Sequence, residues 1–134
     1  MLSEERVGSL RSCLRGELIE PGAEEYDAAR KVYNGMIDRH PRLIARCRDV
    51  ADVIAAVNFA RDNDLLLAIR GGGHNAGGLG VCDDGLVIDL SPMKGIRVNP
   101  EARTVRVEGG CVWGDVDFIR YTLHFIPRLR GHVF

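Results

Sequence analysis

The sequence predicts a mixed α/β (α+β) fold, with an N-terminal βαβ unit followed by short antiparallel strands. Three observations point there. Leu43-Ile44-Ala45-Arg46-Cys47 and the apolar run over 65–69 read as strands flanking a stretch of helical period. Six glycines, Gly71, Gly72, Gly73, Gly77, Gly78 and Gly80, follow the second run at once. Beyond them come short apolar or alternating segments separated by turn residues.

Taken in order, 3–14 reads as a first helix with Val7, Leu10 and Leu14 on one face, ended by Gly16 and the Pro21-Gly22 punctuation. A second helix is expected over about 23–36. Its first turn is acidic (Glu24, Glu25), its later turns are basic (Arg30, Lys31), and Tyr26, Ala29, Tyr33 and Met36 recur at helical spacing as core residues. His40-Pro41 breaks the chain before the strand at 43–47. Asp49 is an N-cap candidate with Asp52 at the capping-box position. Val50, Val53, Ile54 and Val57 form the predicted apolar face of the next helix, which Asn63 or Asp64 ends. Strand, helix and strand in so short a span make a parallel βαβ unit with a right-handed crossover. The run at 86–90 is a further strand. Ile96-Arg97-Val98 and Thr104-Val105-Arg106-Val107 then form short strands around Asn99-Pro100-Glu101-Ala102, and a helix begins over 112–118.

Composition narrows the partners. With 134 residues, 46% hydrophobic and 28% charged, the chain is one globular domain over 1–134, with no repeat and no linker. A net charge of -1 recruits neither nucleic acid nor an anionic membrane. Every apolar run is too short to span a membrane, and the acidic N-terminus MLSEERVGSL does not read as a secretory signal. Cys13, Cys47, Cys82 and Cys111 are widely spaced, and so are His40, His74, His124 and His132. That pattern predicts no metal site and reduced thiols in a cytoplasmic protein.

The loop RGGGHNAGGLG carries the chemistry. A glycine triplet costs backbone entropy that a plain connection would not need. It supplies N–H groups that can converge on one anion, typically phosphate oxygens. The expected ligand is therefore a diphosphate, with Arg70 and His74 at the two ends of Gly71-Gly72-Gly73. One rival is the dinucleotide fingerprint, since Gly71, Gly73 and Ala76 match G-x-G-x-x-A and Asp89 lies near the ribose-binding distance. That motif must open a helix, and the glycines that follow oppose one. A glycine-rich hairpin without a ligand is the other alternative.

Read as a whole, the chain resembles the first half of an FAD-binding domain of the vanillyl-alcohol-oxidase/p-cresol-methylhydroxylase type. It is most similar to bacterial relatives of berberine bridge enzyme. The resemblance rests on YDAARKVYNGMIDRHPRLIARCRDVADV, on FARDNDLLLAIRGGGHNAGGLGVCDDGLVIDLSPMKGIRV, on TVRVEGG and on VWGDVD, and covers residues 14–117. It implies that Arg70, Gly71, Gly72, Gly73, His74 and Asn75 cradle the FAD pyrophosphate. Gly78 and Leu79 would continue the same loop along the cofactor. His74 would take the place of the histidine that many members bond to the flavin 8α-methyl carbon, a reasonable role for a neutral imidazole nucleophile. Cys82 and Cys111 lie outside the motif of the second, cysteinyl bond and are expected to be packing residues. The implied activity is that of an FAD-linked oxidase, taking hydride from a small-molecule alcohol or amine and passing electrons to oxygen. The divergent tail over 118–134, FIRYTLHFIPRLRGHVF, does not continue into the second flavin-binding segment or the substrate domain of such relatives. No catalytic base is recognisable. A truncated, non-catalytic remnant is therefore the alternative, with a nicotinamide-binding module behind it, and such a chain is expected to self-associate.

Overall fold

The computed structural model describes residues 2–122, and its elements form three layers. The central layer is a four-stranded sheet of order β1-β2-β4-β3. These strands are β1 (Glu17–Ile19), β2 (Leu43–Arg46), β3 (Leu67–Arg70) and β4 (Leu86–Asp89). β2 and β3 both run parallel to β4, whereas β1 is antiparallel to β2. β4 is buried along its whole length, as the apolar Leu86-Val87-Ile88 requires of a central parallel strand.

Alternation of side chains divides the core. Leu43, Ala45, Leu86 and Ile88 face helices α1 (Glu4–Cys13) and α3 (Val50–Asp62), while Ile44, Ala68 and Val87 face α2 (Tyr26–Ala29) and the segment that follows β3. A separate hairpin pairs β5 (Ile96–Asn99) with β6 (Thr104–Val107), and α4 (Trp113–Thr122) comes after it. The βαβ unit and the antiparallel hairpin are as the sequence predicts. β4, however, lies between β2 and β3.

Three details differ from the sequence reading. The helix expected over 23–36 stops at Ala29. Arg30 turns the chain there, bonding to both Asp27 and Asp38, and Asn34-Gly35 supplies a turn signal beyond it. Tyr26 and Ala29 are buried, but Tyr33 and Met36 are exposed rather than core. On α3 the buried positions are Asp52, Ala56 and Ala60, because the small alanines let the helix sit close to the sheet. Val50, Ile54 and Val57 face outward. Asp49 caps α3 through the Asp52 N–H, and the Asp49 N–H in turn helps hold the Asp52 carboxylate, in the sense of the expected capping box. The same carboxylate accepts from the backbone N–H groups of Arg15, Gly16 and Arg48, pinning the end of α1 to the start of α3. Burial would raise its pKa, but these backbone donors outweigh that and hold it below the usual value. Finally, β1 is an element that its three residues were too few to signal. The tail from 123 onward lies outside the described residues.

Candidate diphosphate-binding loop

The segment 71–85 joins two parallel strands, which excludes the hairpin alternative and makes it a crossover. It contains no helix, so the setting of a dinucleotide fingerprint is missing as well. It leaves the carboxyl end of β3, the edge at which open α/β sheets bind ligands.

A row of charges closes that edge. Arg46, Asp89 and Arg70 are the last residues of β2, β4 and β3, and they lie in register across the sheet. Arg46 bonds Glu17 at 3.0 Å and approaches Asp89 at 3.7 Å, while Arg70 Nη2 donates to Asp89 Oδ2 at 2.9 Å. Arg70 and Asp89 are both buried, so Asp89 is not the exposed acid that a ribose would need. Burial raises the pKa of its carboxyl, but the Ser91 N–H and the Arg70 charge prevail and hold it below the usual range. The Arg70 guanidinium therefore does not stand free at the mouth of the loop. Its Nη1 donates to the Lys31 carbonyl at 3.1 Å, and its stem lies 3.6 Å from where a Cβ on Gly73 would be.

The glycine loop sits on residues 31–37. The Gly73 carbonyl accepts from the Tyr33 N–H at 3.0 Å, and the Ala76 carbonyl accepts from Asn34 Nδ2 at 3.1 Å. The Asn75 carbonyl accepts from the Gly78 N–H, and its side chain accepts from the Leu79 N–H, closing a turn. In a trans peptide the next N–H points opposite to the carbonyl. The N–H groups of His74, Ala76 and Gly77 are thus aimed away from these anchors. Among the described residues, none accepts a hydrogen bond from any N–H over 71–77. Seven successive donors on a half-exposed or exposed loop are what an anion-binding nest offers.

Close packing explains the glycines. A Cβ on Gly71 would lie 2.5 Å from the Gly109 carbonyl oxygen, which brings 109–112 against the loop. Gly78, with φ +73°, is buried against Ile37, which seats this side of the loop. Leu79 is 74% exposed. His74 and Asn75 are exposed too, and the imidazole meets the Tyr33 ring edge-to-face with centroids 5.6 Å apart. Lys31, Tyr33, Asn34 and Gly109 are the contributors that sequence reasoning missed. The Asn34-Gly35 dipeptide was the one signal that could have moved 31–37 out of a core helix.

Residues 41–119 match the FAD binding domain family. The chain belongs to that family. Its cofactor is FAD, and the run of N–H groups left unpaired among the described residues fits the diphosphate of that group. Among curated relatives, the (R)-6-hydroxynicotine oxidase of Paenarthrobacter nicotinovorans is 37% identical over 103 residues, 77% of this chain and 22% of that protein. An FAD-linked oxidoreductase of Dictyostelium discoideum is 38% identical over 112 residues, 83% of this chain and 24% of that protein. The chain thus spans about a quarter of the length of the curated relatives it matches. Among solved structures, 6-hydroxy-D-nicotine oxidase from Arthrobacter nicotinovorans superposes with a TM-score of 0.76 at 35% identity, covering 84% of this chain and 24% of that one. Wild-type Physcomitrella patens BBE-like 1 gives 0.78 at 28% identity, covering 87% and 26%. These neighbours agree with the mixed α/β architecture and with the likeness to FAD-linked oxidoreductases of the berberine-bridge-enzyme type.

A cleft of about 480 Å³ lies elsewhere, lined by Leu2, Val7, Arg11, Glu20 and Arg42 beside α1. It contains none of the loop residues. No helix among the described residues is long and apolar enough to cross a membrane.

Proposed function

We propose that the loop RGGGHN holds the diphosphate of FAD, and that the chain serves as the cofactor-binding part of an oxidoreductase acting on a small-molecule alcohol or amine. The run of seven N–H groups over 71–77, unpaired among the described residues, with the loop carbonyls tied to 33–34 and 78, carries this reading. Gly71, Gly72, Gly73, His74 and Asn75 bring backbone donors to the phosphate oxygens. Arg70 underpins them through Asp89 and Lys31, and Gly78 seats the far side of the loop on Ile37. Leu79 offers exposed apolar surface beside the cofactor. When bound, FAD supplies the acceptor for hydride from the substrate carbon, with oxygen as the final acceptor of the electrons.

His74 is the residue for a covalent link to the flavin 8α-methyl carbon, as its exposure and glycine neighbours allow a ring to approach. Four free cysteines fit a reducing, cytoplasmic setting. The exposed apolar stripe Val50, Ile54 and Val57 favours self-association, which light scattering at rising concentration reads directly.

The test is a visible spectrum of the purified chain before and after acid precipitation. Yellow colour in the pellet, moved to the supernatant by His74→Ala, is the expected result. Colour in neither fraction would refute FAD binding by this chain and favour the non-catalytic remnant.

A further inference from the structure

We propose that Tyr33 is a positioning residue that fixes the His74 imidazole for its bond to the flavin, an inference that rests on the covalent reading above. An exposed histidine on a glycine-rich loop has several rotamers open to it. Here two surfaces restrict it. The Nδ1–Cε1 edge of the imidazole lies over Gly72, where a Cβ would come within 3.0 and 3.1 Å of those atoms. The Tyr33 ring meets the imidazole at an interplanar angle of 88°.

Tyr33 is itself held in place. Lys31, Tyr33 and Asn34 each bond to the 70–76 segment, at Arg70, Gly73 and Ala76 respectively, so the tyrosine backbone and the histidine backbone share one scaffold. Burial does not account for the tyrosine, which is 82% exposed. Its ring contact with His74 does, since an edge-to-face pair prefers one mutual orientation.

Covalent attachment is an oxidation. The imidazole nitrogen forms a bond to the 8α carbon, the nitrogen and the 8-methyl group each lose one proton, and dioxygen takes up those two protons and the two electrons released, as hydrogen peroxide. Tyr33 takes no part in those transfers. It sets the fraction of time for which the nitrogen lone pair faces the carbon.

The experiment uses the full chain with Tyr33→Leu and Tyr33→Phe, each incubated with FAD in air. Total bound flavin and acid-stable flavin are followed separately over time. Tyr33→Leu is compared with the parent by the acid-stable share of its bound flavin, so that any change in FAD affinity is divided out. Its acid-stable flavin should accumulate roughly two- to twelvefold more slowly, the range given by the worth of an aromatic pair. Tyr33→Phe keeps the ring edge and should match the parent. Parent-like attachment by Tyr33→Leu, or equal slowing by Tyr33→Phe, would overturn the inference. A parent chain that releases all its flavin into acid would instead sink the covalent reading and this inference with it. Nuclear Overhauser contacts between the Tyr33 and His74 rings in the parent provide a readout independent of flavin and of the variants' folding. Their absence would also overturn it.

Discussion

Replacing Asp89 with asparagine leaves the Arg70 guanidinium buried with the Lys31 carbonyl as its remaining partner among the described residues. The side chains of Arg70 and Asp89 are 7% and 3% exposed, so water cannot compensate for the lost carboxylate. Breaking a buried ion pair by removing one partner costs about 3–5 kcal/mol, a large share of the ~5–15 kcal/mol that a domain has in total. The Ser91 N–H can still donate to the Oδ1 of an asparagine, so the loss falls on the charge pair. Removing the other partner is milder. After Arg70→Met, Asp89 keeps Arg46 at 3.7 Å and the Ser91 N–H. The predicted order is therefore Asp89→Asn worse than Arg70→Met, with the double variant better than the sum of the two. Urea unfolding of the parent, both single variants and the double variant measures this as a cycle, and a coupling above ~1 kcal/mol is expected. Additive losses, or a cost below ~1 kcal/mol for Asp89→Asn, would refute the idea that this pair locks the base of the loop.

Gly71→Ala places a Cβ 2.5 Å from the Gly109 carbonyl oxygen and should cost about 1–3 kcal/mol by overpacking, with at least tenfold weaker FAD binding by fluorescence titration. Gly8→Ala, in open space on α1, should instead stabilise by roughly 0.5–1 kcal/mol. Asp52 and Asp89 both titrate below their ordinary 3.8 in the folded chain, so the unfolded chain takes up their protons first as pH falls. Their contribution is full above that value and lost as pH drops through the lower folded values. Stability followed by chemical denaturation from pH 7 to 3 should decline at the acid end, and Asp52→Asn should flatten part of that decline. Burial pushes the Cys47 thiol up to about 12 and raises Cys82 as well. Iodoacetamide should therefore label exposed Cys13 first and reach Cys47 and Cys82 only after unfolding, as mass spectrometry of the labelled chain would show.

The sequence was most legible where a run was long or its period clean. The strand at 43–46, the helix after Asp49 and the central run Leu86-Val87-Ile88 each carry their own signal. α2 was overextended because Tyr33 and Met36 happened to continue the spacing of Tyr26 and Ala29, while the chain had already turned at Arg30. The face of α3 was misread for a related reason. Hydrophobicity singles out Val50, Val53, Ile54 and Val57, of which Val53 packs against the core and the other three are exposed, while close approach to a sheet selects Ala56 and Ala60. The loop's glycines were visible as an anion cradle, yet the role of Arg70 was not. Its partner lies 19 residues away on a neighbouring strand, and that register is set by the crossover rather than by any local pattern. Tyr33 stayed hidden because a tyrosine at helical spacing reads as core until the helix is known to end before it.

Binding at the amides over 71–77 is the central claim, and amide resonances test it most directly. Two titrations of the ¹⁵N-labelled chain would be compared, one with FAD and one with riboflavin, which lacks the diphosphate. Saturable shifts of the 71–77 amides with FAD, and at least tenfold weaker effects with riboflavin, are the predicted result. Equal responses to the two ligands, or shifts confined to the cleft beside α1, would contradict it.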